Sequence, residues 1–185
     1  AGRKLEVAAI NEKAVELARR AIDHGGKRER FVAGDIGPTG QFMPPVGALK
    51  ADEARAAFRE QARALEGAGV DLFVIETMYD IREALEALRA VREVSSKPAA
   101  VTLTFERRPK GYFTMMGDTT EKAVELLPKE GATALGGPAQ GVQVLGRDLL
   151  GVLALGLVLR HPARTLPFVG VDRAVTVVVE AVQEA

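Results

Sequence analysis

Two carboxylates stand where short apolar runs stop. The uncharged run Leu72-Phe73-Val74-Ile75 ends abruptly at Glu76, within the stretch GVDLFVIETMYD at Gly69–Asp80. A second short run, Arg30–Asp35, ends at Asp35 and leads into the loop Gly34-Asp35-Ile36-Gly37-Pro38-Thr39-Gly40. Four apolar residues rich in β-branched and aromatic types are too few for a helix and read as a strand buried on both faces. A carboxylate at the end of such a strand, before a βα loop, occupies the place where α/β enzymes keep functional groups. Two carboxylates at neighbouring strand ends can divide acid and base work if their environments split their pKa values. The alternative for Glu76 is a solvated loop glutamate. The glycines after Gly34 permit close approach of backbone to a ligand, but the loop is neither GxGxxG nor a P-loop, which makes a nucleotide reading weak. A tight turn shaped by Pro38 remains the other reading.

Other chemistries are bounded by composition. There is no cysteine among the 185 residues, so the chain supplies no disulfide, thiol nucleophile or zinc thiolate. The two histidines, His24 and His161, lie far apart in sequence and read as structural or solvated. Lysine plus arginine equals aspartate plus glutamate at 25 each, which gives no electrostatic reason to expect nucleic acid or an anionic membrane as partner. At 47% hydrophobic and 27% charged, the composition is that of an ordinary globular domain. No leader peptide is apparent, and the uncharged run Leu149–Leu159 is shorter than the roughly 20 residues of a membrane-spanning helix. A cytoplasmic location is the expectation. The chain opens at Ala1 inside a helical pattern, from which a missing upstream segment is expected.

The positioning elements follow from periodicity. Arg3–Asp23 places Leu5, Ala9, Ala14, Leu17 and Ala21 near one face of a helix, and Ala51–Gly67 does the same with Ala54, Phe58, Ala62 and Leu65. Asp80-x-x-Glu83 resembles a capping box opening a helix through Val94, with Ile81, Leu85, Leu88 and Val91 facing the core. Lys97-Pro98 feeds a strand at Ala99–Phe105, Asp118-x-x-Glu121 caps a further helix, and Ala132–Leu135 is a fourth short strand. Repeated βα units predict a parallel sheet, either an open doubly wound sheet or an incomplete (β/α)8 barrel; four strands by residue 135 amount to half of one. Beyond Gly136 the character changes: residues 141–185 carry 8 of the 50 charged side chains. Val175–Val179 is β-branched and unbroken, and this region could hold barrel strands or a buried helix.

Taken together, these stretches resemble the homocysteine S-methyltransferase domain, as in cobalamin-dependent methionine synthase, and its betaine- and S-methylmethionine-dependent relatives. The resemblance rests on AINEKAVELARRA (Ala9–Ala21), VAGDIGPTGQF (Val32–Phe42), GAGVDLFVIETMYDIREALEALRAVRE (Gly67–Glu93), KPAAVTLTFE (Lys97–Glu106), TMMGDTTEKAVE (Thr114–Glu125) and GATALG (Gly131–Gly136). These lie in order and register over residues 1–136; GDIGPTG and TLTF lean toward the methionine synthase type. The resemblance implies a (β/α)8 barrel that moves a methyl group onto a homocysteine thiolate held on zinc by three cysteines. The family uses zinc and a methyl donor, methylcobalamin or methyltetrahydrofolate in the methionine synthase type. Glu76 then matches the glutamate that holds the substrate's amino group, and Gly34, Asp35 and Thr104 fall in segments that line the pocket.

Departures from the family are equally specific. Where the family continues into Ala-Asn-Cys-Gly, this chain reads Gly137-Pro138-Ala139-Gln140, with Ala139 in the place of a zinc cysteine. The later Gly-Gly-Cys-Cys segment and the opening strand have no counterpart. Residues 137–185 are thus either a divergent segment of the same domain or the product of an altered reading frame. The expectation is a family member without catalytic competence, metal or cofactor of its own. The alternatives are a non-catalytic barrel-derived protein, binding a small amino acid or acting as an interaction module, and an unrelated barrel using Asp35 and Glu76 for acid–base chemistry. Open strand edges make a homo-oligomer a further expectation.

Overall fold

A computed structural model describes residues 6–23 and 30–136, together with the backbone of 177–180. The expectations for His24, Ala139, Leu149–Leu159 and His161 lie outside these residues. Helices α1 (Val7–Asp23), α2 (Ala51–Gly67), α3 (Ile81–Val94) and α4 (Thr120–Leu126) alternate with strands β1 (Val32–Ile36), β2 (Leu72–Met78), β3 (Ala99–Leu103) and β6 (Ala134–Gly136). A hairpin of β4 (Glu106–Arg108) and β5 (Gly111–Phe113) is inserted after β3, and β7 (Val177–Glu180) lies late in the chain.

The main sheet is parallel throughout, in the order β6-β3-β2-β1-β7. From β1 through β2 and β3 to β6, each new strand adds beside the last and the order never reverses. The later strand β7 lies on the far side of β1, which is compatible both with a closing barrel and with a doubly wound sheet that reverses at a switch point. The packing makes the distinction. Val32, Ile36, Phe73, Ile75, Ala99, Val101 and Leu103 pack on one face of the sheet in a single cluster with the buried residues of all four helices. The opposite face carries a separate small cluster, Ala33, Leu72, Val74 and Ala100, flanked by Phe31 and Ala134. Helices on one face and an apolar lining that none of the described helices covers on the other make this an α/β fold of the barrel kind, incomplete among the described residues.

Several local expectations are corrected. The buried face of α1 is Asn11, Val15 and Ala18, and Leu17 is 54% exposed; the helical stripe lies rotated from the expected one, and Arg19 donates to Asp71 at 2.7 Å. Helix α4 is capped by Thr119, whose side chain accepts from Lys122 N, and not by Asp118. Glu83 does not complete a capping box: Asp80 caps α3 by accepting from Arg82 N at 2.9 Å, while Glu83 turns to another loop. Strand β3 stops at Leu103, two residues early, because the chain turns there into the exposed hairpin. Within Val175–Val179, residues 177–179 lie in β7, a strand parallel to β1.

The segment leading into β3 is fixed by Arg92. Its guanidinium donates to Lys97 O at 2.6 Å, to Ser95 O at 3.3 Å and to Gly131 O at 2.9 Å, so one side chain gathers the starts of β3 and β6. Between α2 and α3, buried Glu86 accepts from Arg55 and Arg89, and Arg89 also holds Glu130 at 2.6 Å. Glu86 thereby keeps its carboxylate paired between the two helices, which is what makes its burial tolerable.

Candidate functional site

Side chains alternate across a strand, so residues sharing the face of Ala33, Leu72, Val74 and Ala100 are fixed by parity. On β1 that is Asp35, on β2 Glu76, and on β3 Thr102. Register places Asp35 level with Val74 and Ala100, and places Thr102 level with Gly136. Glu76 therefore stands one layer closer than Asp35 to the C-terminal end of the sheet, on the neighbouring strand and the same face. Asp35 is 3% exposed, and its backbone oxygen accepts from the buried amide of Gln61 at 3.1 Å. Glu76 is half-buried at the rim. Glu180 on β7 is the register partner of Asp35 on the other side.

Gly34 and Thr104 have different surroundings. Gly34 faces the helices: a Cβ there would lie 3.1 Å from Leu65 Cδ1 and 3.3 Å from Val70 Cγ1. The residue lets α2 approach the sheet closely beneath Asp35. Thr104 lies just past β3, half-buried, and its N–H donates to Met78 O at 2.8 Å. It ties the β3 exit to the β2 exit.

The loops at this end of the sheet are joined to one another. Glu83, 1% exposed at the start of α3, accepts from Thr39 in the loop after β1, through both N–H and hydroxyl. The rings of Phe42 and Tyr79 meet with centroids 5.6 Å apart. Arg82 donates to Pro44 O at 2.5 Å while holding Asp80 at 2.6 Å. Asp118, from the loop before α4, accepts from Ile81 N at 3.0 Å and from Lys122 Nζ at 2.6 Å. The loops after β1, β2 and β3 thus form one braced rim at the C-terminal end of the sheet, where Glu76 ends its run. Burial pushes the Glu83 carboxyl above its usual range, against the Thr39 hydrogen bonds, which favour the anion, and with Asp80 adding to the rise. Burial, then Glu83 and Asp80, likewise raise the Tyr79 phenol.

The backbone at Glu76 is irregular. Ile75 pairs with Val101 and Met78 with Leu103, so Glu76 and Thr77 together oppose Thr102. Thr77 has φ 59, in the left-handed region that β-branched residues seldom enter. Its N–H donates to Thr102 Oγ1 at 3.2 Å. Neither Thr77 nor Glu83 and Asp118 as loop ties was foreseen from the sequence. Thr102 was within reach, since alternation from Ala100 puts it on the face of Glu76; nothing in the sequence marks Thr77 as left-handed.

Rim and sheet face offer carboxylates, a hydroxyl and backbone groups around a small apolar floor. That set suits an ammonium group with a short apolar side chain. It does not suit a zinc-bound thiolate. The chain has no cysteine, and no group of three or more histidine, aspartate or glutamate side chains positioned for a metal occurs among the described residues. No helix among the described residues is long and apolar enough to cross a membrane.

The chain is similar to proteins of one known family. The pattern of the homocysteine S-methyltransferase family matches residues 2–138. Betaine–homocysteine S-methyltransferase 1 of Sus scrofa is 28% identical over 133 residues, covering 72% of this chain and 44% of the relative. The Xenopus tropicalis protein of the same name is 28% identical over 134 residues, 72% of this chain and 30% of its own length. Among solved structures, the apo homocysteine methyltransferase MmuM from Escherichia coli superposes with a TM-score of 0.60 at 26% identity, covering 74% of this chain and 52% of that one. The chain therefore spans about half, or less, of the length of these relatives.

Proposed function

The chain belongs to the homocysteine S-methyltransferase family, and we propose that it retains the part of the site that holds the amino acid but not the part that activates its thiol. Glu76, with Asp35 beneath it, would receive the ammonium group of a homocysteine-like amino acid at the C-terminal rim of the sheet. The observation that carries this reading is the placement of the two carboxylates on adjacent strands, on the one sheet face that no described helix covers.

Methyl transfer to a thiol needs the thiolate as nucleophile. A free thiol with a pKa near 8.5 is mostly protonated at neutral pH, and zinc coordination is the route by which a thiol is deprotonated outright. The sequence has no cysteine, and no group of side chains positioned for a metal occurs among the described residues, so binding without turnover is the reading for this chain on its own. The loop motif GDIGPTG leans to a methylcobalamin- or methyltetrahydrofolate-linked ancestor, whereas two relatives above are named for betaine.

Calorimetric titration with L-homocysteine at pH 7 tests the proposal. Saturable binding is expected, weakened about tenfold or more by Glu76→Gln, the loss of roughly one charge-assisted hydrogen bond. Binding equal in both proteins would overturn the role of Glu76. Methyl transfer by the isolated chain supplied with zinc and a donor would overturn the claim that activation is lost.

A further inference from the structure

Resting on the amino-acid reading above, we propose that Thr102 and Thr77 are positioning residues for Glu76: the Thr102 hydroxyl braces a strand bulge that keeps the Glu76 side chain on the inner face of the sheet. The need for a bulge is a matter of parity. Ile75 and Met78 both pack in the helix-side cluster, and both are fully buried. They are three residues apart, and an unbroken strand would put residues at odd spacing on opposite faces. The conflict is resolved by fitting Glu76 and Thr77 opposite the single residue Thr102. One added residue re-aims the chain, so Glu76 keeps the parity of Val74 while Met78 returns to the helices.

The added residue is Thr77, exposed and left-handed at φ 59. A β-branched residue has little tendency of its own to stay there, so the conformation must be held from outside. Thr102 Oγ1, accepting from Thr77 N at 3.2 Å, is a bond from the facing strand that does so. The Thr102 rotamer is in turn set by its other neighbour. Gly136, its register partner on β6, has no side chain, and a Cβ there would come within 3.3 Å of Thr102 Cγ2. The methyl group occupies the room left by the glycine, which directs the hydroxyl toward β2. Glu76, Thr77, Thr102 and Gly136 form one line across three strands at the C-terminal rim.

Two substitutions separate the hydroxyl from the shape of the side chain. Thr102→Val keeps the volume and removes the acceptor; Thr102→Ser keeps the acceptor. Amide hydrogen exchange at Thr77, read by NMR without ligand, is expected to quicken about tenfold in Thr102→Val and to stay near wild type in Thr102→Ser. L-homocysteine affinity is expected to fall about tenfold in Thr102→Val and to be restored in Thr102→Ser, with unfolding temperatures close to wild type. If valine packs poorly beside Gly136, Thr102→Ala removes the same acceptor with less volume. Unchanged exchange at Thr77 in both Val and Ala variants overturns the brace whatever binds. Altered exchange with wild-type affinity, in a protein whose binding Glu76→Gln weakens, overturns the positioning role alone. A wild-type chain that binds no amino acid defeats the reading of function, while the exchange data still decide whether Thr102 holds the bulge.

Discussion

Glu83 Oε1 accepts two hydrogen bonds from one residue, from Thr39 N at 2.8 Å and from Thr39 Oγ1 at 2.6 Å. Glu83 opens α3, Thr39 lies in the loop after β1, and the pair joins two βα loops through a buried carboxylate. Burial makes that carboxylate reluctant to ionise.

Its pH dependence has a definite sign. A carboxyl whose folded pKa lies above its ordinary value of 4.5 contributes stability that is fully present below 4.5 and is lost as pH rises through the folded value. Glu83→Gln keeps an acceptor for Thr39 and cannot ionise. Its stability relative to wild type should therefore improve as pH rises above 4.5 and level off once the folded carboxyl has ionised. Urea unfolding of both proteins across that range measures it. A constant difference would show that burial does not oppose the charge. Thr39→Ala, which removes the hydroxyl donor, is expected to cost about 1 kcal/mol.

Gly34 separates packing from binding. Alanine there brings a Cβ to 3.1 Å from Leu65 Cδ1 and 3.3 Å from Leu65 Cβ and Val70 Cγ1, an overpacking expected to cost about 1–3 kcal/mol. Val70→Ala should recover part of that loss in the double variant, as coupled neighbours do. Because Gly34 faces the helices, the folded Gly34→Ala protein is expected to bind L-homocysteine like wild type. Thermal unfolding and titration of the same samples decide between the packing role and a pocket-lining one.

What could be read in the sequence follows what each residue has to satisfy. The run Leu72–Ile75 was legible because side chains on both faces of that strand are buried, which demands an unbroken apolar stretch. Phe58, Ala62 and Leu65 were legible because α2 presents a single stripe to the sheet. The continuation of β2 to Met78 was not, because a charged Glu76 and a left-handed Thr77 interrupt the pattern, and the cause lies on another strand. The cap of α4 was misread since Asp118 and Thr119 are both good capping residues. Asp118 is engaged by Ile81 N and Lys122, which only the fold reveals. The β4–β5 hairpin was missed because most of its residues are exposed, and Glu106-Arg107-Arg108 carries no apolar alternation. Glu76 and Asp35 as strand-end carboxylates could be placed from the sequence; their relative layer and shared face needed the register.

Asp71 supplies a prediction at the opposite end of the sheet. Its carboxylate accepts from Val32 N at 2.6 Å and pairs with Arg19 at 2.7 Å, tying α1 to the start of β1. Partial burial works against ionisation, but the Arg19 and Val32 hydrogen bonds and the Arg19 and Lys97 charges outweigh it and hold the carboxyl below its ordinary 3.8. A lowered pKa contributes stability that is present above 3.8 and disappears as pH falls through the folded value. Asp71→Asn is therefore expected to lose about 1–2 kcal/mol at pH 7 and progressively less of it in acid. The two proteins should converge below pH 3.8, provided that both remain folded enough to follow by urea titration. Equal stability at pH 7 would mean that Arg19 and Val32 gain nothing from the charge. Since Asp71 lies far from the rim, its loss should leave amino-acid affinity unchanged in the folded protein, whereas Glu76→Gln should do the reverse and alter affinity with little effect on stability.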